Sequence, residues 1–228
     1  MRNPAPQPSL DREPAAAQDS ARWDCNLNIG AVILAAGKAE RLGGRPKALL
    51  RIDGIPLIRR LLDALYEAGV AQAVVVTGHR AGDVDRALAG MPATQAHNPD
   101  YARGQMTSLR VGLAALPGNL DGILIALGDQ PLLTSADLKG LLAAFVRRGD
   151  ADVVRPRSQG RFGHPVIIAA ALRAAVIEGP PEGGARHWMA CNPGRVAHYD
   201  TDCDHYFVDV DTPEDLEGLC LCHGLDIR

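Results

Sequence analysis

AVILAAGKAERLGGRPKALL, residues 31–50, runs an unbroken apolar segment into a loop dense in glycine and positive charge. Six apolar residues ending at Gly37 suit a strand buried on both faces of a parallel sheet. Two familiar phosphate loops fail on spacing. A Walker loop needs glycine five positions after the first and glycine directly before lysine, but Leu42 and Pro46 stand there. A dinucleotide fingerprint needs glycine at the position of Ala39. What remains is Leu34-Ala35-Ala36-Gly37, then Arg41, then Pro46-Lys47. Glycine lets the backbone approach a ligand, Arg41 offers a forked donor, and Lys47 a mobile point charge. Lys38 and Arg45 add to the positive field. Either charge alone would read as a solvated turn; together, behind a buried strand, they point to a phosphate site.

Outward from this loop, PLIRRLLDALYEAG places Leu57, Ile58, Leu61, Leu62 and Leu65 at helical spacing, with Pro56 at the start and Gly69 at the end. AVVVT, residues 73–77, is the next buried strand and completes a right-handed βαβ unit. The alternation continues. DVDRALAG, TSLRVGLAAL, ALRAAVIEG, GARHWMAC and PEDLEGLCLC read as helices, with a further helix from Ser135, its expected cap, to near Gly149. ATQAH, GILIAL, ADVVRP, HPVIIA, RVAHY and YFVDV read as strands. The expected fold is α/β: a single three-layer Rossmann-like domain with a mostly parallel sheet. Ligands of such sheets sit beyond the carboxyl ends of the strands.

A chain of 228 residues can bury a full core without staples. The net charge of −3 offers no basic field for nucleic acid or an anionic membrane, so neither is an expected partner. Five scattered cysteines do not form a disulfide framework, and a reducing cytoplasm is the expected compartment. Cys220-Leu221-Cys222-His223 lacks a second ligand pair at zinc spacing, so these thiols are expected to line a terminal helix. Residues 1–28 read as an unstructured leader rather than a signal peptide, 29–223 as the domain, and 224–228 as a tail.

The loop motif, together with HNPDYARGQMTSL (97–109), GDQP (128–131), GHPV (163–166), GGAR (183–186) and VDVDTPEDL (208–216), resembles the nucleotidyltransferases of the molybdenum cofactor enzymes. The nearer resemblance is to the molybdenum cofactor cytidylyltransferases, over about residues 30–222. It implies a nucleotidyltransferase fold and the following reaction. The terminal phosphate of molybdenum-bearing molybdopterin attacks the α-phosphate of CTP, pyrophosphate leaves, and molybdopterin cytosine dinucleotide forms. No protein nucleophile is needed; the protein aligns the reactants and neutralises charge.

Asp129, two residues past a strand, suits Mg²⁺, or Mn²⁺, held against a triphosphate, although a turn residue before Pro131 would look similar. Asp209 and Asp211, two apart on an expected strand, would face one side and share the ion. Asp211 could instead cap the closing helix, which ranks Asp209 above it. On the resemblance, Leu34, Ala35, Ala36, Gly37, Arg41, Lys47, Gly104 and Ser108 bind nucleotide, with Arg41, Lys47 and Asp129 catalytic. Gly104 and Ser108 could equally mark a helix start, with Thr107 or Ser108 as its cap. His164 and Arg186 match the acceptor side, where a turn histidine and a solvated arginine are the alternatives. Family members with Ala-Gly at Ala36-Gly37 tend to use CTP rather than GTP, because the methyl would crowd a purine.

Other readings stay open: GTP as donor, a sugar-1-phosphate or other small phosphate as acceptor, or a chaperone delivering cofactor to a molybdenum hydroxylase. Some cytidylyltransferases of this group also bind such target enzymes. An oxidoreductase is disfavoured by the missing dinucleotide glycines.

Overall fold

The computed structural model describes residues 27–180 and 184–227. The expected leader up to residue 26 and Gly183 of the GGAR motif lie outside the described residues. In chain order the elements are β1 (Ile29–Leu34), β2 (Arg51–Ile52), β3 (Ile55–Pro56), α1 (Leu57–Glu67), β4 (Gln72–Thr77), α2 (Ala81–Ala87), β5 (Thr94–His97), α3 (Gln105–Ala115) and β6 (Gly122–Leu127). They continue with α4 (Ser135–Val146), β7 (Val153–Ser158), β8 (Arg161–Phe162), β9 (Val166–Ala169), α5 (Arg173–Glu178), α6 (Gly184–Cys191), β10 (Val196–Asp200) and α7 (Pro213–His223).

The main sheet runs β10-β7-β9-β6-β1-β4-β5, with β8 paired to β7. Strands β6, β1, β4 and β5 are parallel, and β9 is antiparallel to both its neighbours. Leu34 lies opposite both Leu127 and Val76, so β1, β6 and β4 end at one edge. Because β9 runs the other way, it begins at that same edge and delivers His164 there, with Val166 opposite Ile125. This register creates the site.

Alternating strand residues divide the core. Ala31, Ile33, Val75 and Leu124 pack against α1, α2 and α4 on one face; Val32, Val74, Val76 and Ile125 pack against α3, α5 and α6 on the other. This is the expected three-layer arrangement. Helix α1 buries the apolar stripe read from its spacing. It ends in a Schellman pattern: Val70 N–H to Leu65 O at 2.9 Å and Gly69 N–H to Tyr66 O at 3.0 Å, with Gly69 at φ +91°. Helix α3 lies close enough to the sheet that a Cβ on Gly112 would sit 2.4 Å from Val32 Cγ1 and 2.8 Å from Val76 Cγ2. Gly112→Ala should therefore cost about 1–3 kcal/mol by overpacking, read as a Tm lower by roughly 3–10 °C. An unchanged Tm would contradict this close approach.

Some local expectations are corrected. Helix α4 is capped by Thr134, not Ser135, in a capping box with Asp137. Helix α3 begins two residues early, with Gly104 at its N-cap, so neither Thr107 nor Ser108 caps it. YFVDV is not a strand. It pairs with no strand, and its polar backbone is used elsewhere: Tyr206 O accepts from His164 N–H at 2.9 Å, and Val210 N–H donates to Asp129 O at 3.1 Å. Alternation nevertheless survives in this extended segment. Val210 is buried with Leu50, Ile52, Leu57 and Leu132, while Asp209 and Asp211 are exposed. The same apolar cluster takes Ile227, which bridges Ile52 near the C-terminus.

Candidate active site

Three strand exits are laced together at the carboxyl edge. Ala35 N–H donates to Val76 O (3.0 Å), Gly128 N–H to Leu34 O (3.0 Å), and His79 N–H to Ala36 O (3.1 Å). Between them opens a cleft of about 220 Å³, lined by Leu34, Ala35, Ala36, Gly37, Lys47, Ser108 and Asp129, among others. Gly37 has no left-handed φ, and a Cβ there would meet nothing within 4 Å. Neither backbone strain nor the protein interior requires glycine at this point; the space belongs to the cleft.

Lys47, on a short turn after Pro46, reaches two carboxylates distant in sequence. Its Nζ lies 3.0 Å from Asp129 Oδ2 and also donates to Asp211 Oδ1. Burial opposes the ammonium, but the hydrogen bond to Asp211 and the charge of Asp129 outweigh it and hold the lysine above its ordinary pKa. Asp129 is only 19% exposed. Burial pushes its carboxyl upward, Lys47 pulls it down less strongly, and the charge of Asp209 adds to the rise. Asp129 Oδ1 is buried with no hydrogen-bond partner. That free oxygen is a hard donor of the kind a divalent cation takes, but Asp129, Asp209 and Asp211 do not close into a three-carboxylate group with ligand atoms within 4.8 Å of one another. Asp211 is not the cap of α7; Thr212 and Asp215 form that capping box, and this leaves the Asp211 side chain to Lys47.

Of the other residues singled out from sequence, Arg41 sits on an exposed turn, Glu40–Leu42, and does not line the cleft. Gly104 adopts φ +117° and ψ 159°, a conformation open essentially to glycine alone. The cleft is lined by its neighbour Gln105. Ser108 is buried, and its Oγ accepts from Asn98 Nδ2 at 2.9 Å, which leaves its own proton free to point at a ligand. Asn98 is 2% exposed and is held by Thr77 O and Asp100 N–H. Its place in HNPDYARGQMTSL carried no signal of this role beyond the motif itself.

A second cavity, of about 660 Å³, adjoins the first across Leu34, Gln105 and Leu127 and contains both His164 and Arg186. Burial, more than the nearby Arg186 charge, lowers the His164 pKa, against the opposing pull of the Ile125 backbone and Asp209. The imidazole is therefore neutral at neutral pH. Arg155 and Phe162, both missed from sequence, line this cavity. Arg155 stacks its guanidinium 3.4 Å from the Phe162 ring centroid, a pairing made by the β7–β8 hairpin. Gln130, also missed from sequence, is buried in the GDQP turn, where it donates to His164 O (3.0 Å) and Tyr206 O (3.3 Å) and ties that turn to both segments. Its single signal was the motif itself.

A parallel sheet with buried acid–lysine chemistry beyond its carboxyl edge, behind a glycine loop that is neither Walker nor dinucleotide type, defines a nucleotidyltransferase. The comparisons agree with that class. The chain belongs to the MobA-like NTP transferase domain family, whose pattern matches residues 31–200. Over most of its length it is similar to nicotine blue oxidoreductase of Paenarthrobacter nicotinovorans, at 33% identity over 84% of this chain and 96% of that protein. It is likewise similar to the molybdenum cofactor cytidylyltransferase of Escherichia coli K12, at 26% identity over 82% and 93%. Against the bifunctional protein GlmU of Heliobacterium modesticaldum, at 38% identity, the match spans 32% of that protein's length. Among solved structures, Rv0371c of Mycobacterium tuberculosis H37Rv superposes with a TM-score of 0.72 at 29% identity, covering 85% of this chain and 97% of that one. Its manganese complex superposes at 0.67 and 25% identity, over 86% and 99%. No helix among the described residues is long and apolar enough to cross a membrane.

Proposed function

We propose that the protein transfers CMP from CTP to the phosphate of molybdenum-bearing molybdopterin, releasing pyrophosphate and forming molybdopterin cytosine dinucleotide. The observation that carries this reading is the Lys47 ammonium held between Asp129 and Asp211 at the edge of the first cleft, beside an unpartnered Asp129 oxygen. Asp129, with Asp209 and Asp211, would hold Mg²⁺ or Mn²⁺. That ion would polarise the triphosphate and neutralise charge on the leaving pyrophosphate.

The chain's own residues do the rest. Gly37 gives the triphosphate room against the backbone. Lys47, released from Asp211, follows the phosphates as a point charge, and Arg41 approaches from its exposed turn. Ser108, oriented by Asn98, donates toward the nucleoside. In the adjoining cavity Arg155 and Arg186 supply cations for an anionic acceptor, Phe162 a flat apolar face, and neutral His164 a hydrogen-bonding edge. The wall of Leu34, Gln105 and Leu127 shared by the two cavities supports an acceptor phosphate lying next to the α-phosphate, with alignment supplying much of the rate.

Ala36 lines the first cleft beside Tyr101, its methyl packed toward Gly78. On this reading the methyl favours the smaller base. Ala36→Gly should relax discrimination between CTP and GTP by about 1–3 kcal/mol in kcat/KM; unchanged selectivity would remove the methyl from the account.

The deciding assay is pyrophosphate release with Mg²⁺, CTP or GTP, and molybdenum-loaded molybdopterin. Release that needs CTP and the pterin supports the proposal. Release with GTP overturns the base, and release with another phosphorylated acceptor overturns the acceptor. A redox reading draws on the relationship to nicotine blue oxidoreductase. Consumption of a reduced nicotinamide cofactor by a flat acceptor, without any triphosphate, would favour it.

A further inference from the structure

Away from both cavities, the fold assembles the one mixed cysteine–histidine–carboxylate group found among the described residues. Cys203 Sγ, a His205 ring nitrogen and an Asp137 carboxylate oxygen all lie within 4.8 Å of one another. Sequence alone pairs only Cys203-Asp204-His205; Asp137 arrives from the first turn of α4. We propose that Asp137, Cys203 and His205 form a binding site for a zinc-like divalent transition metal, distinct from the hard-cation site at Asp129.

The distribution of hydrogen bonds on Asp137 favours this. Its Oδ2 already accepts from Thr134 N–H (2.8 Å), Thr134 Oγ1 (2.7 Å) and His205 Nδ1 (2.8 Å). Its Oδ1 faces only the Cys203 thiol, at 3.5 Å, a weak donor. An ion between Oδ1, Sγ and Nδ1 replaces the weak thiol contact, and the Nδ1–Oδ2 hydrogen bond that must break, with three coordinate bonds, while Oδ2 keeps both bonds from Thr134. The Sγ–H proton leaves to solvent and the sulfur lone pair takes the metal. His205 shifts to its Nε2–H tautomer, facing Asp204 Oδ1 4.0 Å away. Asp204 in turn lies 3.8 Å from His223 Nε2, so a second shell is already present around the histidine. His223 closes α7, whose cysteines are not part of this group.

A nucleophilic triad does not fit the same residues. The thiol faces the carboxylate, a weak base for a thiol, and the imidazole gives its near nitrogen to that same carboxylate, so the Cys–His–carboxylate order of a triad is not formed. Thiolate and imidazole donors select zinc-type ions over Mg²⁺. The site also braces the acceptor side, because Tyr206 donates its hydroxyl to Asp137 O (2.6 Å) while its carbonyl receives His164 N–H.

The test uses reduced, chelator-stripped full-length protein in excess Mg²⁺, titrated with Co²⁺ as a spectroscopic probe. One equivalent should bind with a near-ultraviolet thiolate-to-cobalt charge-transfer band, be displaced by Zn²⁺, and raise Tm. Cys203→Ser should abolish the band, and His205→Gln should weaken binding by about tenfold or more. Cys222→Ser should retain it. If Cys203→Ser folds poorly, the weakened affinity of His205→Gln decides alone. No band in the wild type overturns the site. So does a band that survives Cys203→Ser and is lost in Cys191→Ser, which would assign it to the His187–Cys191 pair on α6.

Discussion

Asp129→Asn should remove about 10²–10³-fold or more of the turnover while leaving Tm unchanged or slightly higher. The two halves of this result share one cause. Asp129 is a buried carboxylate whose ionised form is disfavoured by its surroundings, and burial raises its pKa despite Lys47. A carboxyl raised on folding binds its proton more tightly in the folded state. Ionisation above the folded pKa therefore costs stability, and a neutral isostere removes that cost at neutral pH. Asparagine retains an oxygen for Lys47 but loses the charge that a divalent cation requires. The same shift predicts that activity at subsaturating metal falls, as pH drops, at a higher pH than an unperturbed aspartate would give. Paired measurements of pyrophosphate release and thermal melting check the result. Full activity in the variant would dismiss Asp129 as the cation ligand; lost activity with a collapsed Tm would make its role structural.

Lys47→Met should behave in the opposite way in stability and similarly in catalysis. Removing the ammonium leaves Asp129 and Asp211 facing each other without a cation. A broken buried pair costs about 3–5 kcal/mol, and the half exposure of Asp211 reduces this to about 1–3 kcal/mol. The loss should be largest at neutral and alkaline pH and recover on acidification, because Asp129, freed of Lys47, titrates at a still higher pH and protonates first. Mg²⁺ should restore part of the lost Tm by taking the place of the ammonium, and kcat/KM for the triphosphate should fall about 10²–10³-fold. A variant with a pH-independent Tm and no response to Mg²⁺ would show that the three side chains do not form one electrostatic unit.

Both predictions rest on a cluster that was only partly legible in the sequence. Asp129 was readable because it stands two residues after a buried strand, and Lys47 because it closes the glycine-rich loop that follows another; strand ends mark the ligand edge of such sheets. Asp209 and Asp211 were also readable, but by way of a strand that does not exist. The two-residue alternation holds because Val210 anchors an extended segment in an apolar cluster, not because a ladder forms. The roles of Thr134 and Gly104 as caps were missed by a residue or more, since cap geometry depends on where the preceding loop releases the chain.

The sequence by itself determined the layered α/β class, the strand and helix succession, and the departure of the loop from two common phosphate motifs. Those features are local: apolar periodicity and glycine spacing act within a turn or a strand and need no partner. Tertiary structure decided that Lys47 meets Asp211, that Asn98 orients Ser108, that Arg155 covers Phe162, and that Cys203 and His205 find Asp137. Each of these pairings depends on strand order, on the reversed direction of β9, or on a loop returning under the sheet. A charged or polar side chain carries no periodic mark of the distant group that will neutralise it. Its partner emerges only when burial makes an unpaired charge costly and the register of the sheet leaves one neighbour within reach.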